Sequence, residues 1–226
     1  MAAPGGGLEL QQDGAEWCRG AVALALAELD AITAGFSAGQ AGVRISGVPS
    51  LASLLTPRGA IGATAARLLG AASRPVRAIL FDKTAATNWS LPWHQDRTIC
   101  VEQRVDVPGF GPWTIKQGMQ HVAPPAALLS RMVTLRVHLD DVPESNAPLL
   151  IAPGSHRSGR VPVDGIDAAV RRCGTYACLA KAGDVWAYST LILHASEAAR
   201  IPVRRRVLQV DFAAEELPGG LTWLGV

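Results

Sequence analysis

At 226 residues the chain is long enough to bury one well-formed core, and sandwich or barrel folds of this length are often single units. Its 49% hydrophobic and 18% charged residues exclude disorder, and a net charge of +2 is too small to imply nucleic acid or an anionic membrane as a partner. No apolar run reaches the roughly 18 residues that span a bilayer.

The start, Met-Ala-Ala-Pro-Gly-Gly-Gly, lacks the basic and apolar regions of a signal peptide. Cys18, Cys100, Cys173 and Cys178 form no CxxC pair, so reduced thiols in the cytoplasm are the expectation, with a Cys173–Cys178 pairing left open. Residues 1–7 read as a flexible tail and 8–75 as mostly helical support. One helix is expected over 13–32 with Asp13 as N-cap, then a loop over 33–49. A second helix is expected over 57–69, with Pro57 in its first turn and Gly70 as its stop.

After Pro75 the character changes. Val76–Phe81 is a β-type run, and Trp93-His94-Gln95-Asp96 follows a short apolar approach. Strands are expected over 98–101, 132–139, 149–152, 185–188, 191–195 and 205–212, with Gly/Pro turns between them. Residues 106–125, rich in proline and glycine, read as a lid-like loop. Many short strands predict a single domain, mainly β with N-terminal helices, its core over 76–213.

His94 and Asp96 stand at i and i+2, a spacing that puts both side chains on one face of a strand and within reach of one metal ion. The chain has a second such pair, His138-Leu139-Asp140, but that one runs into an acidic turn and reads as a solvated strand end. Trp89 and Trp93 flank the first pair and would limit water access. A third ligand has to come from His121, His138, His156 or His194. His121 reads as a surface residue of its loop, and His156 as a partner of local backbone. His194 has the better company: Ser196 follows at i+2, and Arg204-Arg205-Arg206 opens the next strand. A buried arginine needs an anion, and a dicarboxylic acid would supply one. Two imidazoles and one carboxylate on one side of iron leave positions open for a cosubstrate and oxygen.

In order, His94-Gln-Asp96, Asp140-Asp141, Asn146-Ala-Pro-Leu149, Pro153-Gly-Ser-His156, Gly183-Asp184, His194-Ala-Ser196 and Arg205 resemble the phytanoyl-CoA dioxygenase family over about residues 76–213. The resemblance implies a double-stranded β-helix (jelly roll, cupin-like) and an oxygenase using Fe(II), 2-oxoglutarate and O2. It implies His94, Asp96 and His194 as iron ligands, Arg205 on the distal carboxylate of 2-oxoglutarate, and Ser196 and Lys83 assisting. Arg205 is taken over Arg204 and Arg206 on the family spacing. Asp96 stands where related halogenases have a small residue, which points to hydroxylation. Ala147 replaces the family's usual glycine, a change expected to touch a turn and not the chemistry.

Trp93, Trp113, Phe110, Gln120, Arg97 and Arg104 are the candidates for the site mouth, suited to a small or medium-sized polar metabolite with some apolar surface. Two other readings fit fewer residues. A non-catalytic β-helix binding protein leaves Ser196 and Arg205 unexplained, and a zinc hydrolase lacks a general base beside the ligands. Neither the substrate nor the oligomeric state follows from the sequence.

Overall fold

The computed structural model describes residues 7–36 and 42–226, so most of the expected tail lies outside it, as does part of the loop at 33–49. Strands β1 (Ala15–Cys18), β2 (Val43–Ile45), β3 (Arg74–Lys83), β8 (Val133–His138), β11 (Val185–Ser189) and β13 (Arg205–Ala213) form a six-stranded antiparallel sheet. Its order is β1-β11-β8-β13-β3-β2. A four-stranded sheet holds β4 (Leu91–His94), β9 (Leu149–Ile151), β10 (Tyr176–Cys178) and β12 (His194–Ser196) in the order β10-β9-β12-β4. The fold is the expected mainly β jelly roll, without a closed barrel.

Alternation along the large sheet gives it two unlike faces. Leu135, Val137, Leu208, Val210 and Phe212 point outward and bury against Leu29, Leu51, Leu55 and Ile61 of the helical layer. The inner face is polar. Register sets Arg205 opposite Lys83, Val207 between His138 and Phe81, Gln209 between Arg136 and Ile79, and Asp211 between Thr134 and Arg77. A one-residue slip would exchange the two faces, so the burial of one fixes the placement of the other.

The helical layer departs from expectation. The segment over 13–32 is not one helix. A single turn, α1 (Leu10–Asp13), is closed by Asp13, whose side chain accepts the Glu9 N–H at 2.9 Å, and β1 follows. Gly14 makes the corner at φ +80°, where an added Cβ would overlap the His156 ring. Residues 15–18 then gain a full ladder on β11, which outweighs their helix propensity. After β1 the chain becomes helical again at a 3-10 turn over Ala23–Ala25 that runs into α2 (Leu26–Thr33). The second expected helix is shorter, α4 (Gly62–Leu69), and a helix that was not expected, α3 (Pro49–Leu55), precedes it. The first-turn proline is Pro49, while Pro57 lies in the turn between them. Gly70 does stop α4.

Residues 106–125 are not an open loop. β6 (Trp113–Lys116) and β7 (Met119–Val122) form a hairpin that pairs with β5 (Ile99–Val101), turning at Gln117-Gly118, both at positive φ. Its aromatic residues Phe110 and Trp113 bury against Val76, Ile99, Leu129 and Trp223. Leu191-Ile192-Leu193 is likewise not strand, because side chains take several of its backbone polar groups. Leu191 O accepts from the Gln95 side chain, Leu193 N donates to Ser155 Oγ, and Ile192 O accepts from His194. All four cysteines are free. No helix among the described residues is long and apolar enough to cross a membrane.

Candidate active site

His94 closes β4 and His194 opens β12, and the two are partners in the ladder, with ring centres 4.2 Å apart. Each ring is set by its own strand. His94 Nδ1 meets Pro92 O at 2.8 Å, and His194 Nδ1 meets Ile192 O at 3.0 Å. A carbonyl partner assigns the proton to Nδ1 and leaves Nε2 free as a donor to a metal. Asp96 follows two residues after His94, just past the strand end. Gln95 between them turns the other way and is pinned, with Nε2 donating to Gly159 O and Leu191 O and Oε1 accepting from Val161 N.

Ligand atoms of His94, Asp96 and His194 all lie within 4.8 Å of one another. Burial, then the neighbouring imidazole, pushes His194 down to about 4, so it is neutral near pH 7. Burial would raise the Asp96 carboxyl, but the Arg77 guanidinium and then the two imidazoles outweigh it and hold it below the usual carboxylate range. Two imidazole nitrogens and one carboxylate on one side fit a divalent ion with positions left open. Asp96 is steadied from behind by Gln209 Nε2 at 3.3 Å and Arg77 at 3.5 Å. Arg77 in turn pairs with Asp211 at 2.6 Å.

The triad forms one end of a cavity of about 150 Å³ between the two sheets, and Lys83, Ser196 and Arg205 also line it. The arginine run splits as alternation requires. Arg204 pairs with Asp82 at 2.9 Å and Arg206 with Asp140 and Asp30 at 2.7 Å, while Arg205 alone points inward, 3% exposed. Arg205 Nη1 donates to Ala147 O, its Nε has no partner, and no carboxylate pairs with it among the described residues. Burial, then the charge of Arg136, brings it down to about 9. Ala147 itself sits at φ +51°. The turn expected to lie apart from the chemistry therefore holds the inward arginine. Lys83 Nζ donates to Trp89 O at 2.6 Å and Ser196 Oγ at 3.2 Å, and burial, then Arg205 and Arg136, lowers it to about 7.

None of the six residues expected at the mouth lines this cavity. Trp93 packs beside Val161 and Leu193, and Arg97 donates to Val161 O. Phe110 and Trp113 are held in the hairpin cluster, Gln120 belongs to β7, and exposed Arg104 pairs with Asp106 over the Trp113 ring. The hairpin and the segment leading into it carry Phe110, Trp113 and Gln120 away because they need their own aromatic core. Trp89, Leu91, Phe81, Ile79 and Leu149 supply the apolar walls instead. His121 is buried, bonded to Cys100 Sγ at 3.0 Å, and His138 is buried rather than solvated. Arg136 and Gln209 were missed. The available signal was an arginine and a glutamine in otherwise apolar strands, on the same face as Arg205.

The sequence model of one family, phytanoyl-CoA dioxygenase (PhyH), matches residues 59–207, about two-thirds of the chain. The chain belongs to the phytanoyl-CoA dioxygenase family. By class it is an Fe(II)- and 2-oxoglutarate-dependent oxygenase. No curated protein sequence matches it. Solved structures share the fold at low identity. EctD from S. alaskensis, in its apo form, is 17% identical with a TM-score of 0.61, over 90% of this chain and 74% of that one. The epimerase SnoN, solved with Fe3+, alpha-ketoglutarate and nogalamycin RO, is 17% identical with a TM-score of 0.62, over 93% and 88%. HygX from Streptomyces hygroscopicus, solved with nickel and 2-oxoglutarate, is 13% identical with a TM-score of 0.57, over 90% and 84%.

Proposed function

We propose that this PhyH-family chain hydroxylates a small or medium-sized metabolite, with His94, Asp96 and His194 holding the iron and Arg205 holding the distal carboxylate of 2-oxoglutarate. The observation that carries the reading is a His-His-carboxylate triad in one cavity with a buried guanidinium that has no carboxylate partner among the described residues. When bound, iron and 2-oxoglutarate supply the oxidising chemistry, consuming O2 and releasing succinate and CO2.

The chain's own residues do the positioning. The carbonyls of Pro92 and Ile192 fix both imidazole tautomers, and Gln209 and Arg77 orient the Asp96 carboxylate. Arg205, with Ser196 and Lys83 beside it, gives a diacid a fixed seat. Phe81, Leu91 and Trp89 form walls that exclude water from the reacting end. These apolar walls, with Lys83 among them, suit a metabolite that combines polar groups with some hydrocarbon surface.

Among the structural relatives is an epimerase, so the product decides the reaction type. Metabolites are screened for stimulated succinate release, and products of those that respond are weighed by mass spectrometry. The expected product is heavier by one oxygen atom, with one succinate per turnover. A product of unchanged mass, or one lighter by two hydrogens, would contradict hydroxylation. Turnover with zinc alone, independent of 2-oxoglutarate, would contradict the oxygenase assignment itself.

A further inference from the structure

Arg136 takes no part in the set formed by Lys83, Ser196 and Arg205. It stands in β8 between Leu135 and Val137, both committed to the apolar face, and its own side chain turns into the cavity. It is 7% exposed. Nη1 donates to Gln209 Oε1 at 2.9 Å, the guanidinium carbon lies 5.5 Å from the centre of the Phe81 ring, and Nε has no partner among the described residues. No carboxylate pairs with it among the described residues. A guanidinium keeps its charge in a protein, and a buried charge left without a counter-charge is strongly unfavourable.

Charges along the inner face are unevenly matched. Arg77 is shared between Asp211 at 2.6 Å and Asp96 at 3.5 Å, so two carboxylates surround one guanidinium there. Arg136 and Arg205 have none. Their stations differ as well. Arg205 is opposite Lys83, whereas Arg136 is opposite Gln209, four residues and about 13 Å further along β13. Gln209 passes its Nε2 to Asp96, so Arg136 stands one side chain from the carboxylate of the triad. Two buried guanidiniums without anions, at separate stations on one cavity, match a ligand with a carboxylate at each end.

We infer that Arg136 is a second cosubstrate-binding arginine, gripping the carboxylate next to the 2-oxo group while Arg205 grips the distal one. This rests on the proposed function. The cosubstrate is then held at both ends by a planar donor fork, and its binding neutralises both buried charges. The chain Arg136–Gln209–Asp96 ties the orientation of the oxo-acid end to the orientation of the Asp96 carboxylate. Lys83, already lowered to about 7, can be without charge and needs no third carboxylate.

The test compares two acids by calorimetry on the Mn(II)-loaded protein. 2-Oxoglutarate has both carboxylates, and 2-oxobutyrate has only the one beside the oxo group. Arg136→Gln is expected to weaken both acids by a similar factor, tenfold or more. Arg205→Gln is expected to weaken 2-oxoglutarate alone and leave 2-oxobutyrate within twofold. Arg136→Lys, which keeps the charge and loses the fork, should recover part of the loss for both. If Arg136→Gln fails to fold by circular dichroism, Arg136→Lys carries the comparison and should weaken both acids at least threefold. Unchanged affinity for both acids, or a loss confined to 2-oxoglutarate, in the folded Arg136 variant would overturn the inference. A wild-type protein that binds neither acid would instead overturn the proposed function.

Discussion

Gln95 separates His94 from Asp96 and gives all its hydrogen-bonding capacity to backbone at Gly159, Leu191 and Val161. It thereby ties the ligand segment to the turn ahead of His194. Gln95→Leu leaves three backbone groups without partners, and urea unfolding is expected to show a loss of about 2–4 kcal/mol. A second residue, His138, gives stability a pH dependence. Burial, then the charges of Arg136 and Arg205, holds it down at about 3, while an unfolded imidazole titrates near 6.5. Between those values the unfolded chain binds the extra proton, so stability is complete above about pH 6.5 and falls as the pH drops toward 3. The urea midpoint should fall between pH 7.5 and pH 5, and by less in His138→Leu. An equal fall in both proteins would contradict the assignment. At this scale the grouping of His94, Asp96 and His194 in one cavity with Arg205 was legible, because these residues are spaced by the strands that carry them. The residues behind them were not. Nothing near Gln209 or Arg136 in sequence shows that a distant Asp96 or a cavity awaits their side chains.

Elements with one buried face and one polar face were read best. β3, β8 and β13 follow period-two alternation closely enough to sort Arg205 inward from Arg204 and Arg206, each of which meets an acid on the outside. Short elements whose partner is remote were read worst. β1 looks helical by composition, and only its pairing with β11, far along the chain, makes it a strand. Its entry depends on Gly14, so Gly14→Ala must strain a positive φ and displace His156. That substitution is expected to cost more than about 2 kcal/mol in chemical denaturation. A cost below about 0.5 kcal/mol would show that the corner relaxes. The 106–125 hairpin was hidden by its prolines and glycines, which mark turns but do not say that ladders run between them. Trp113 and Phe110 serve its own core, which keeps them away from the cavity.

Over the whole molecule the large sheet divides labour between its faces. The outer face buries Leu208, Val210 and Phe212 against helices and sets stability, and the inner face carries the charged groups and sets chemistry. The two should separate experimentally. Leu208→Ala is expected to lower stability by about 2–4 kcal/mol while the protein that remains folded binds 2-oxoglutarate as before. A large loss of affinity in that variant would show the faces to be coupled. The fold class was legible from length and the density of short strands, whereas the substrate was not, because the cavity walls come from β3, β4 and β9 with no common motif. The central claim is that His94, Asp96 and His194 form one iron centre that takes 2-oxoglutarate. It is tested most directly by anaerobic titration of the folded protein with Fe(II) and 2-oxoglutarate. A weak visible charge-transfer band is predicted, absent in His94→Ala and in His194→Ala when circular dichroism shows both variants folded. A folded wild-type protein without the band, or a His94→Ala protein that keeps it, would contradict the claim.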